Sequence, residues 1–425
     1  MTTLTSLAAL DASDPLAPMR SRFHLPQHNG APQIYLCGNS LGLQPKTTRE
    51  EVMQELDDWA TLGVEGHFHA AHPWYETHLE LRESLARLTG ALPAEVAAMG
   101  SLTANLHAAL TSFYRPTERR FRVLMEAEMF PSDRYAMASH LELHGRTRET
   151  ALFELDGDER GLIATERIVR AIREAGDTLA LVLWSGVNYY SGQRYDLDAI
   201  AKAAREVGAA VGFDLAHAVG NVPLTLHDTA PDFAVWCSYK YLNSGPGGVG
   251  GLFVHERHHG DAGLHRLAGW WGNDPATRFT MPRAFVPQRS VDAWQVSNAS
   301  VLQIAALRAS LRLFDETNQS ELRARSLRMG ATLRALLEER MGDRVALLTP
   351  AAEADRGCQL SIRVGGAARR VCERLLERGV VCDFRSPDVV RAAPVPLYNT
   401  FEELGRFVEE LHACYTEDPW EKPAC

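Results

Sequence analysis

Cysteine is scarce in this chain, and its spacing matches no structural signature. The seven cysteines are odd in number and include no C-x-x-C pair, so neither a disulfide framework nor a cysteine zinc site is indicated. They stand at positions 37, 237, 358, 372, 382, 414 and 425. We expect reduced thiols, as in a cytoplasm, in a chain of 425 residues that buries enough core to fold without crosslinks.

The sequence also lacks a long apolar run and an excess of positive charge. No window approaches the ~18 apolar residues of a membrane span, and the opening stretch MTTLTSLAALDASDPLAPMR has no basic segment ahead of an apolar one. The formal charge is -10, from 44 Lys and Arg against 54 Asp and Glu, so the basic surface that nucleic acid or anionic lipid requires is missing. We therefore expect a cytoplasmic protein without nucleic-acid or membrane partners.

No repeat of fixed period and no low-complexity tract is present, which sets aside solenoids and propellers. Hydrophobic residues make up 45% of the chain and charged residues 23%, and the mean hydropathy is -0.20, all close to the average of globular proteins. At about 150 residues per domain, the length predicts two or three folding units.

The first clear element is a helix over 47–60. Thr47 and Glu50 predict a capping box at its start, and Val52, Leu56 and Trp59 lie on one face.

Buried strands follow. The runs 121–127, 179–184, 209–214 and 233–238 are apolar on both faces, which is typical of a mainly parallel sheet. Between two of these runs Asp196 caps a predicted helix that Gly208 ends, which makes one βαβ unit.

The pattern changes near residue 299. Two long helices are predicted up to Met341, followed by a strand near 360–364, a helix ending at Gly379, a strand over 380–384 and a last helix through 404–411. We therefore predict an α/β protein. Residues 46–300 would form a large domain with a mostly parallel central sheet flanked by helices, and 1–45 with 301–425 a smaller α+β domain.

The segment DFAVWCSYKYLNSGPGGVGG, residues 232–251, is the most informative for chemistry. A strand that reads as buried leads to Tyr239 and Lys240 and then to a glycine-rich turn. A lysine among apolar groups has a depressed pKa that suits Schiff-base formation. The alternative, a lysine reaching the solvent, is equally compatible with this segment alone.

The same turn contains Gly245, Gly247 and Gly250 in a G-x-G-x-x-G spacing. A dinucleotide site would need this motif to follow the first strand and to open a helix, whereas GLFVHE reads as another strand. We therefore expect the glycines to serve a tight chain crossing beside Lys240.

Upstream of the lysine, Asp214 ends a predicted core strand and His217 follows it. An acidic residue, a strand and then a lysine is the order expected of pyridoxal phosphate (PLP) enzymes, where the carboxylate keeps the pyridine nitrogen protonated. Asp214 as a helix cap and His217 as a packing residue remain the alternatives.

Two further segments supply what a PLP site needs. Ser101 and Thr103 stand at the start of a predicted helix, where free N–H groups and the helix dipole favour a phosphate. Phe130 follows another strand and could stack on the pyridine ring. Simple capping and a buried core phenylalanine explain the same residues equally well.

Two histidine clusters, His67 with His69 and His72, and His255 with His258 and His259, could suggest metal sites. Neither has a carboxylate or cysteine partner at recognised zinc spacing, so we expect surface loops and no metal. The motifs H-E-x-x-H and G-x-S-x-G and the P-loop are missing as well.

Taken in order, these segments resemble the kynureninase family of PLP-dependent hydrolases, which has fold type I of the aspartate aminotransferase superfamily. The resemblance covers nearly the whole chain. The segments that match the family are YLCGNSLGLQPK (35–46), GSLTANLH (100–107), FPSDRYA (130–136), SGVNYYSGQ (185–193), GFDLAHAVGN (212–221), DFAVWCSYKYLNSG (232–245), GWWGN (269–273), VSN (296–298) and APVPLYN (393–399).

The resemblance implies PLP as the cofactor and a role for each matching residue. Lys240 looks like the Schiff-base lysine, Asp214 like the partner of the pyridine nitrogen and Phe130 like the stacking ring. Tyr239 resembles either a proton donor or a phosphate ligand. The remaining cofactor contacts implied are Leu102, Thr103, Pro131, Ser132, Asp133, Ser185 and His217.

The resemblance also implies a homodimer, in which Trp270 and Asn298 reach the cofactor of the neighbouring subunit. Arg391 resembles the arginine that grips the substrate α-carboxylate, with Arg385 nearby. His67 and Asn298 match members that prefer L-3-hydroxykynurenine over L-kynurenine, although Asn273 stands where such members often carry histidine.

The implied reaction is hydrolysis of the substrate Cβ–Cγ bond, which releases an anthranilate and L-alanine. The alternatives are another fold type I reaction, such as that of an aminotransferase or a cysteine desulfurase, and an inactive homologue that only binds ligand.

Overall fold

In the computed structural model, residues 4–423 are described. Met1–Thr3 and Ala424–Cys425 lie outside the described residues, and with them the seventh cysteine. In chain order the strands are β1 (Gln27–His28), β2 (Ala31–Pro32), β3 (Ile34–Tyr35), β4 (Val96–Ala98), β5 (Arg122–Glu126), β6 (Leu152–Leu155), β7 (Leu179–Ser185), β8 (Ala210–Asp214), β9 (Phe233–Cys237), β10 (Gly250–Val254), β11 (Ala346–Leu347), β12 (Leu360–Arg363), β13 (Val380–Val381), β14 (Asp383–Arg385) and β15 (Val389–Ala392).

Helices surround these strands. In chain order they are α1 (Leu4–Ala12), α2 (Thr48–Leu62), α3 (Gly66–His69), α4 (Arg82–Thr89), α5 (Leu102–Phe113), α6 (Pro131–Leu143), α7 (Arg148–Ala151), α8 (Thr165–Ala175), α9 (Leu197–Glu206), α10 (Leu226–Thr229), α11 (Val301–Asp315), α12 (Gln319–Met341), α13 (Ala368–Glu377) and α14 (Phe401–Glu417). Within residues 4–423, no helix is long and apolar enough to cross a membrane.

The central sheet has seven strands in the order β4-β10-β9-β8-β7-β5-β6. The strands from β9 to β6 run parallel, and β10 is antiparallel to both β9 and β4. Strands β7, β9 and β10 are buried along their whole length, because hydrophobic clusters cover both faces of the sheet. The predicted α/β architecture with a largely parallel sheet is confirmed.

The second sheet has four antiparallel strands in the order β11-β12-β15-β14. A hydrophobic cluster of its own joins it to α12, α13 and α14 and to N-terminal residues that include Leu7 and Ile34. We retain the predicted division into 46–300 and 1–45 with 301–425 as a proposal, although Ile304, Leu307 and Leu311 of α11 belong to a cluster of the central sheet.

The predicted βαβ unit is confirmed in detail. Helix α9 begins after Asp196, whose carboxylate accepts a hydrogen bond from the backbone N–H of Ala199 at 3.0 Å. Gly208, with a φ of +73°, provides the left-handed turn that leads into β8.

The predicted capping box at the start of α2 is wrong. Thr47 makes no side-chain capping bond to the described residues of the helix, because its backbone is already helical, with φ -74° and ψ -14°. The face with Val52, Leu56 and Trp59 is not the buried one either, since Trp59 is 64% exposed.

The buried face of α2 is instead acidic. Glu51 and Glu55 pair with the buried Arg308 of α11 at 2.8 and 2.6 Å. Charges taken out of water must be paired in this way, so α2 and α11 are joined by ion pairs where the pattern predicted apolar packing.

The single strand predicted over 380–384 is two strands. Strand β13 pairs in parallel with β3, and β14 pairs with β15 of the four-stranded sheet, with Cys382 between them. The strand β15, which the sequence did not reveal, is therefore a neighbour of β14.

Candidate active site

The carboxyl ends of three neighbouring parallel strands meet at one edge of the central sheet. Strand β7 ends at Ser185 and β8 at Asp214, and these two residues are paired across the strands. Strand β9 ends at Cys237 and leads into the turn that contains Tyr239 and Lys240. Open α/β sheets bind their ligands at this edge.

Lys240 is held beside His217 at this edge. The Nζ atom lies 3.0 Å from the His217 Nε2 atom and 5.8 Å from the centre of the Phe130 ring. Burial, with the nearby charge of Lys240, lowers the pKa of His217 well below its ordinary value. His217 is therefore neutral at physiological pH and able to accept a hydrogen bond from the lysine amine.

Two buried carboxylates lie next to the lysine. Asp214 accepts a hydrogen bond from the Ala216 backbone N–H at 2.7 Å, whereas neither carboxylate oxygen of Asp133 meets a hydrogen-bond donor within the described part of the chain. Burial raises the pKa of both carboxyls, and the charge of Asp214 raises that of Asp133 further. Such a pair lacks a positive charge or a proton, and the protonated nitrogen of a pyridine ring would provide one.

The first turns of two helices come together at the same cavity as the lysine. The Thr103 Oγ1 atom, in α5, lies 2.7 Å from the Ser132 Oγ atom, in α6. Both helices therefore direct free N–H groups and the positive ends of their dipoles to one place, where an anion such as a phosphate is stabilised.

These groups surround one cavity of about 260 Å³. It brings together most of the predicted site residues and several others. The lining residues are Asn39, Ser40, Leu102, Thr103, Phe130, Ser132, Ser185, Val187, Tyr189, Asp214, Ala216, His217, Tyr239, Lys240, Arg385 and Arg391. The charged, hydroxyl and aromatic groups of this wall fit a phosphorylated pyridine such as PLP.

Five predicted site residues do not line this cavity. Pro131 and the buried Asp133 flank Ser132, which does line it, in the first turn of α6. Trp270 is 41% exposed and contacts Trp271 and Phe279, and Asn298 is also exposed. His67 lies in α3 with its ring edge-on to Trp74, so the chain itself does not bring Trp270, Asn298 and His67 to the lysine.

Arg391 enters the cavity from β15 and is held by Asp383. Its Nε donates to the Asp383 Oδ1 at 2.7 Å, its Nη2 donates to Oδ2, and its Nη1 donates to the Tyr189 carbonyl at 2.6 Å. Arg385 contacts the same carboxylate, with its Nη2 atom 3.2 Å from Oδ2. The expectation from sequence that Arg385 lies near Arg391 is therefore met through a shared carboxylate, that of Asp383.

Sequence reasoning missed Asp383, Tyr189 and Glu126. Glu126 is buried and accepts hydrogen bonds from the Ser185 N–H, from Asn188 Nδ2 and from the Tyr195 hydroxyl. A charged residue at the end of a buried strand could have indicated Glu126. The role of Asp383 depends on a strand pairing that no local pattern reveals.

A possible metal group lies elsewhere. Glu95, His227 and His255 place one ligand atom each within 4.8 Å of one another, so His255 does have a carboxylate neighbour, although one distant in sequence. The two imidazole rings stack with an angle of 10° between their planes, and Glu95 already accepts hydrogen bonds from two backbone N–H groups. The His227 Nδ1 atom also lies 3.1 Å from Glu95 Oε1, so the group is held together by hydrogen bonds of its own.

Known proteins match the chain along almost its full length. A kynureninase of Xanthomonas oryzae pv. oryzae (strain MAFF 311018) is 52% identical over 97% of this chain and 99% of its own length. A kynureninase of Stenotrophomonas maltophilia (strain K279a) is 51% identical over 96% of this chain and 97% of its own. The family model for the kynureninase C-terminal domain matches residues 322–411.

Solved structures share the fold at low identity. The cysteine desulfurase CsdA of Escherichia coli superposes with a TM-score of 0.78 at 16% identity, over 95% of this chain and 98% of its own. A lysine-to-alanine variant of the cystine C-S lyase C-DES, with glycine covalently linked to its PLP cofactor, gives 0.76 at 19% identity, over 89% and 96%.

These neighbours are fold type I proteins, so the predicted fold type is confirmed. The fold alone would leave the reaction open, because many activities share it. The identity to the bacterial relatives is the stronger finding, and by it the chain belongs to the kynureninase family.

Proposed function

We propose that this chain is a kynureninase that hydrolyses the Cβ–Cγ bond of kynurenines and prefers L-3-hydroxykynurenine to L-kynurenine. The observation that supports it most is the cavity in which Lys240, Asp214 and Arg391 meet. Membership of the family makes the chain a PLP-dependent hydrolase that acts on carbon–carbon bonds. This argues against an aminotransferase, a cysteine desulfurase or an inactive homologue.

The residues around the cavity suit each part of PLP. Lys240 would bind its aldehyde carbon, Asp214 and the neighbouring Asp133 its ring nitrogen, and Phe130 one face of the ring. Thr103 and Ser132, at the starts of α5 and α6, would hold its phosphate together with Leu102 and Pro131. When bound, PLP supplies an electron-withdrawing ring that stabilises negative charge on the substrate.

Lys240 would act as the acid–base group. The His217 Nε2 atom beside Nζ would hold the amine in place. The free amine would take the Cα proton of the substrate and return it at a neighbouring carbon. The carboxylates of Asp133 and Asp214 would keep the ring nitrogen protonated throughout, because their raised pKa values reflect a missing positive partner.

Arg391 would fix the substrate by its α-carboxylate, since a guanidinium can donate two parallel hydrogen bonds to it. With this end held, the γ-carbonyl is fixed as well, and water adds to that carbon. The hydroxyl of water stays with the aromatic acid, the Cβ–Cγ bond breaks, and Cβ takes up a proton to become the methyl group of L-alanine.

Tyr239 suits the role of proton donor to Cβ. Burial is the largest cause that raises the pKa of its hydroxyl well above the ordinary value, and the neighbouring Cys237 is the second. The hydroxyl therefore keeps its proton at physiological pH, and it lines the cavity beside Lys240. A contact with the phosphate remains the alternative role, and a Tyr239→Phe variant that binds PLP normally but turns over slowly would favour the donor.

A homodimer would complete the site. Trp270, Asn298 and His67 lie away from the cavity of their own chain, and large apolar side chains are exposed in the same segments. Those more than half exposed are Trp59, Val64, Phe68, Phe279 and Met281. An apolar surface of this kind is typical of a subunit interface.

Mixed dimers test this shared site. We expect Lys240→Ala and Trp270→Ala each to lower activity, and an equimolar mixture, unfolded and refolded together, to recover about a quarter of the wild-type rate, because half of the dimers are mixed and each has one intact site. A mixture that shows only the mean of the two variants would contradict the shared site.

The substrate preference would depend on His67 and Asn298 from the partner side of the interface. We expect kcat/KM to be about tenfold or more higher for L-3-hydroxykynurenine, because a site built to hydrogen-bond a hydroxyl discriminates against the analogue that lacks it. A His67→Trp/Asn298→Thr variant should shift the preference towards L-kynurenine, and His69→Trp, an exposed change in the same helix α3, should not. Higher kcat/KM for L-kynurenine in the wild type would overturn the preference and leave the activity intact.

We also propose a cellular location and a metabolic pathway for the enzyme. A chain with this charge balance and free thiols at its described cysteines fits a cytoplasmic enzyme. Its products suit tryptophan catabolism through the kynurenine pathway or NAD biosynthesis. Fractionation of the source cells, with the activity assayed in each fraction, tests the location.

A further inference from the structure

We propose that Asp383 is the positioning residue that orients Arg391 towards the α-carboxylate of the substrate. This inference rests on the proposed function, because it assigns a second residue to the recognition of the same amino acid. Asp383 does not line the cavity, so it would act only through the arginine. Its place in the fold, its contacts and its charge each support this role.

The register of the four-stranded sheet places Asp383 and Arg391 opposite each other. Strands β14 and β15 are antiparallel, and Asp383 is the direct cross-strand partner of Arg391. Oppositely charged side chains paired in this way lie on the same face of the sheet and contact each other. The backbone therefore brings the carboxylate to the arginine whether or not a substrate is bound.

The hydrogen bonds leave one edge of the guanidinium unused. Of its five N–H groups, Nε and one on Nη2 donate to Asp383, and one on Nη1 donates to the Tyr189 carbonyl. One N–H on Nη1 and one on Nη2 remain, and these two could bind a second carboxylate. The Asn39 side chain lies against the same guanidinium, 3.3 Å from Nε and from Nη2. Asp383 thus determines which edge of Arg391 is presented.

The charges around Asp383 indicate the same ligand. The carboxylate contacts both Arg391 and Arg385, and both arginines line the cavity. Two guanidinium groups face one carboxylate, which leaves one positive charge to be matched. Arg391 is only 1% exposed and the side chain of Arg385 is 34% exposed, so the unmatched positive charge favours an anionic ligand at this end of the cavity.

The test compares ligands with and without the carboxylate. In Asp383→Asn, we expect KM for L-3-hydroxykynurenine to rise roughly tenfold to a hundredfold, the range expected when one hydrogen bond to a charged group is lost. The kcat at saturating substrate should stay within about threefold, because bound substrate still reacts. The inhibition constant of the decarboxylated substrate, an amine with the same aryl ketone, should not change.

A matched variant separates this role from a structural one. Asp388, in the turn between β14 and β15, pairs with Arg363 of β12 at 3.3 Å, and neither residue lines the cavity. Asp388→Asn should therefore leave KM and kcat unchanged. Asp383→Glu keeps the negative charge but moves it away from Arg391, so it should also raise KM. This variant is used for the test if Asp383→Asn does not fold.

Two results would overturn the proposal. One is an unchanged KM in Asp383→Asn, and the other is an equal loss of affinity for the decarboxylated amine, which would point to general damage. Failure of the proposed function is distinguishable, because the wild type would then hydrolyse neither kynurenine. In that case calorimetry with L-alanine still tests Asp383, since the weaker binding expected of Asp383→Asn does not require turnover.

Discussion

The Nζ atom of Lys240 lies 3.0 Å from the Nε2 atom of His217, at the carboxyl edge of the central sheet. Burial lowers the pKa of His217, so a neutral imidazole faces the lysine amine. The neutral imidazole can accept a hydrogen bond from the amine, which holds the Nζ atom near the Phe130 ring, 5.8 Å from its centre. This contact fixes the position of the lysine amine, which its place in the sequence alone does not show.

Lys240→Ala should abolish covalent attachment of PLP. Borohydride reduction of the wild type followed by peptide mass mapping should find the modified residue at Lys240, and the map is simple because the other lysines of the sequence are Lys46, Lys202 and Lys422. The variant should give no adduct. Lys202→Ala, a change in α9 on the surface, is the control and should behave as the wild type; an adduct that persists in Lys240→Ala would contradict the assignment.

Asp214→Ala should bind PLP through Lys240 but turn over slowly. The remaining site has one carboxylate fewer to keep the ring nitrogen protonated, so negative charge on the substrate is less stabilised. We expect kcat to fall by about a hundredfold or more, a typical cost of losing an electrostatic contact in a buried site. The absorbance of the bound cofactor and steady-state rates measure the two effects separately.

An exposed aspartate provides the control for this variant. Asp228→Ala changes a residue of α10 that is exposed and should retain the wild-type rate. If Asp214→Ala kept its full kcat, the proposed role of Asp214 would be wrong.

Glu126→Gln should weaken the fold around the site. Glu126 accepts hydrogen bonds from three donors through its two carboxylate oxygens. In glutamine an NH2 group, which only donates, replaces one of these oxygens. We expect the free energy of unfolding to fall by about 1–3 kcal/mol, the cost of a buried donor left without its partner. Urea titration followed by circular dichroism measures it, and Glu128→Gln, an exposed change two residues away, should have no effect. Equal stability of the two variants would count against the role of Glu126.

His78 should make the protein less stable in mild acid. Burial lowers its pKa to about 4, and Arg82 and Arg278 add to this shift while Asp292 opposes it. Because the pKa in the folded state lies below the ordinary value of about 6.5, the unfolded chain binds a proton that the folded chain does not as the pH falls from 6.5 to 4. His78 therefore contributes a loss of about 1.4 kcal/mol for each pH unit in that window.

The contribution of His78 is measured by difference, since other groups titrate in the same range. The free energy of unfolding is determined at pH 7, 6 and 5, at one protein concentration, for the wild type and for His78→Gln. The variant should lose less stability than the wild type between pH 6 and 5, by the amount given above. The exposed His24 offers the control His24→Gln, and parallel curves for the wild type and His78→Gln would contradict the prediction.

Much of the central sheet follows from local pattern. Runs such as 179–184 and 233–238 are apolar on both faces, which only a strand with covered faces tolerates, and β7 and β9 occupy them. The cap at Asp196 was also readable, because its hydrogen bond reaches only to Ala199. Features whose energy comes from neighbours in the sequence were predicted well.

Features that depend on residues distant in the sequence were not predicted. Nothing near α2 indicates that Glu51 and Glu55 are its buried residues, because their partner Arg308 lies more than 250 positions away. The split of 380–384 into β13 and β14 likewise depends on two different pairing strands, β3 and β15.

In the candidate site, too, local motifs predict some residues and miss those that depend on distant pairing. The positions of Lys240, Asp214, Thr103 and Phe130 around one cavity follow from short motifs at strand ends and helix starts. Asp383 was missed, because its contact with Arg391 follows from the register of β14 and β15.

The origin of the oxygen in the products tests the central claim most directly. In water enriched in oxygen-18, the PLP-loaded enzyme should convert L-3-hydroxykynurenine into equal amounts of 3-hydroxyanthranilate and L-alanine. At least one labelled oxygen should enter the carboxylate of the aromatic acid, and cleavage should introduce none into L-alanine. A keto acid product, or an aromatic acid without label, would contradict hydrolysis of the Cβ–Cγ bond.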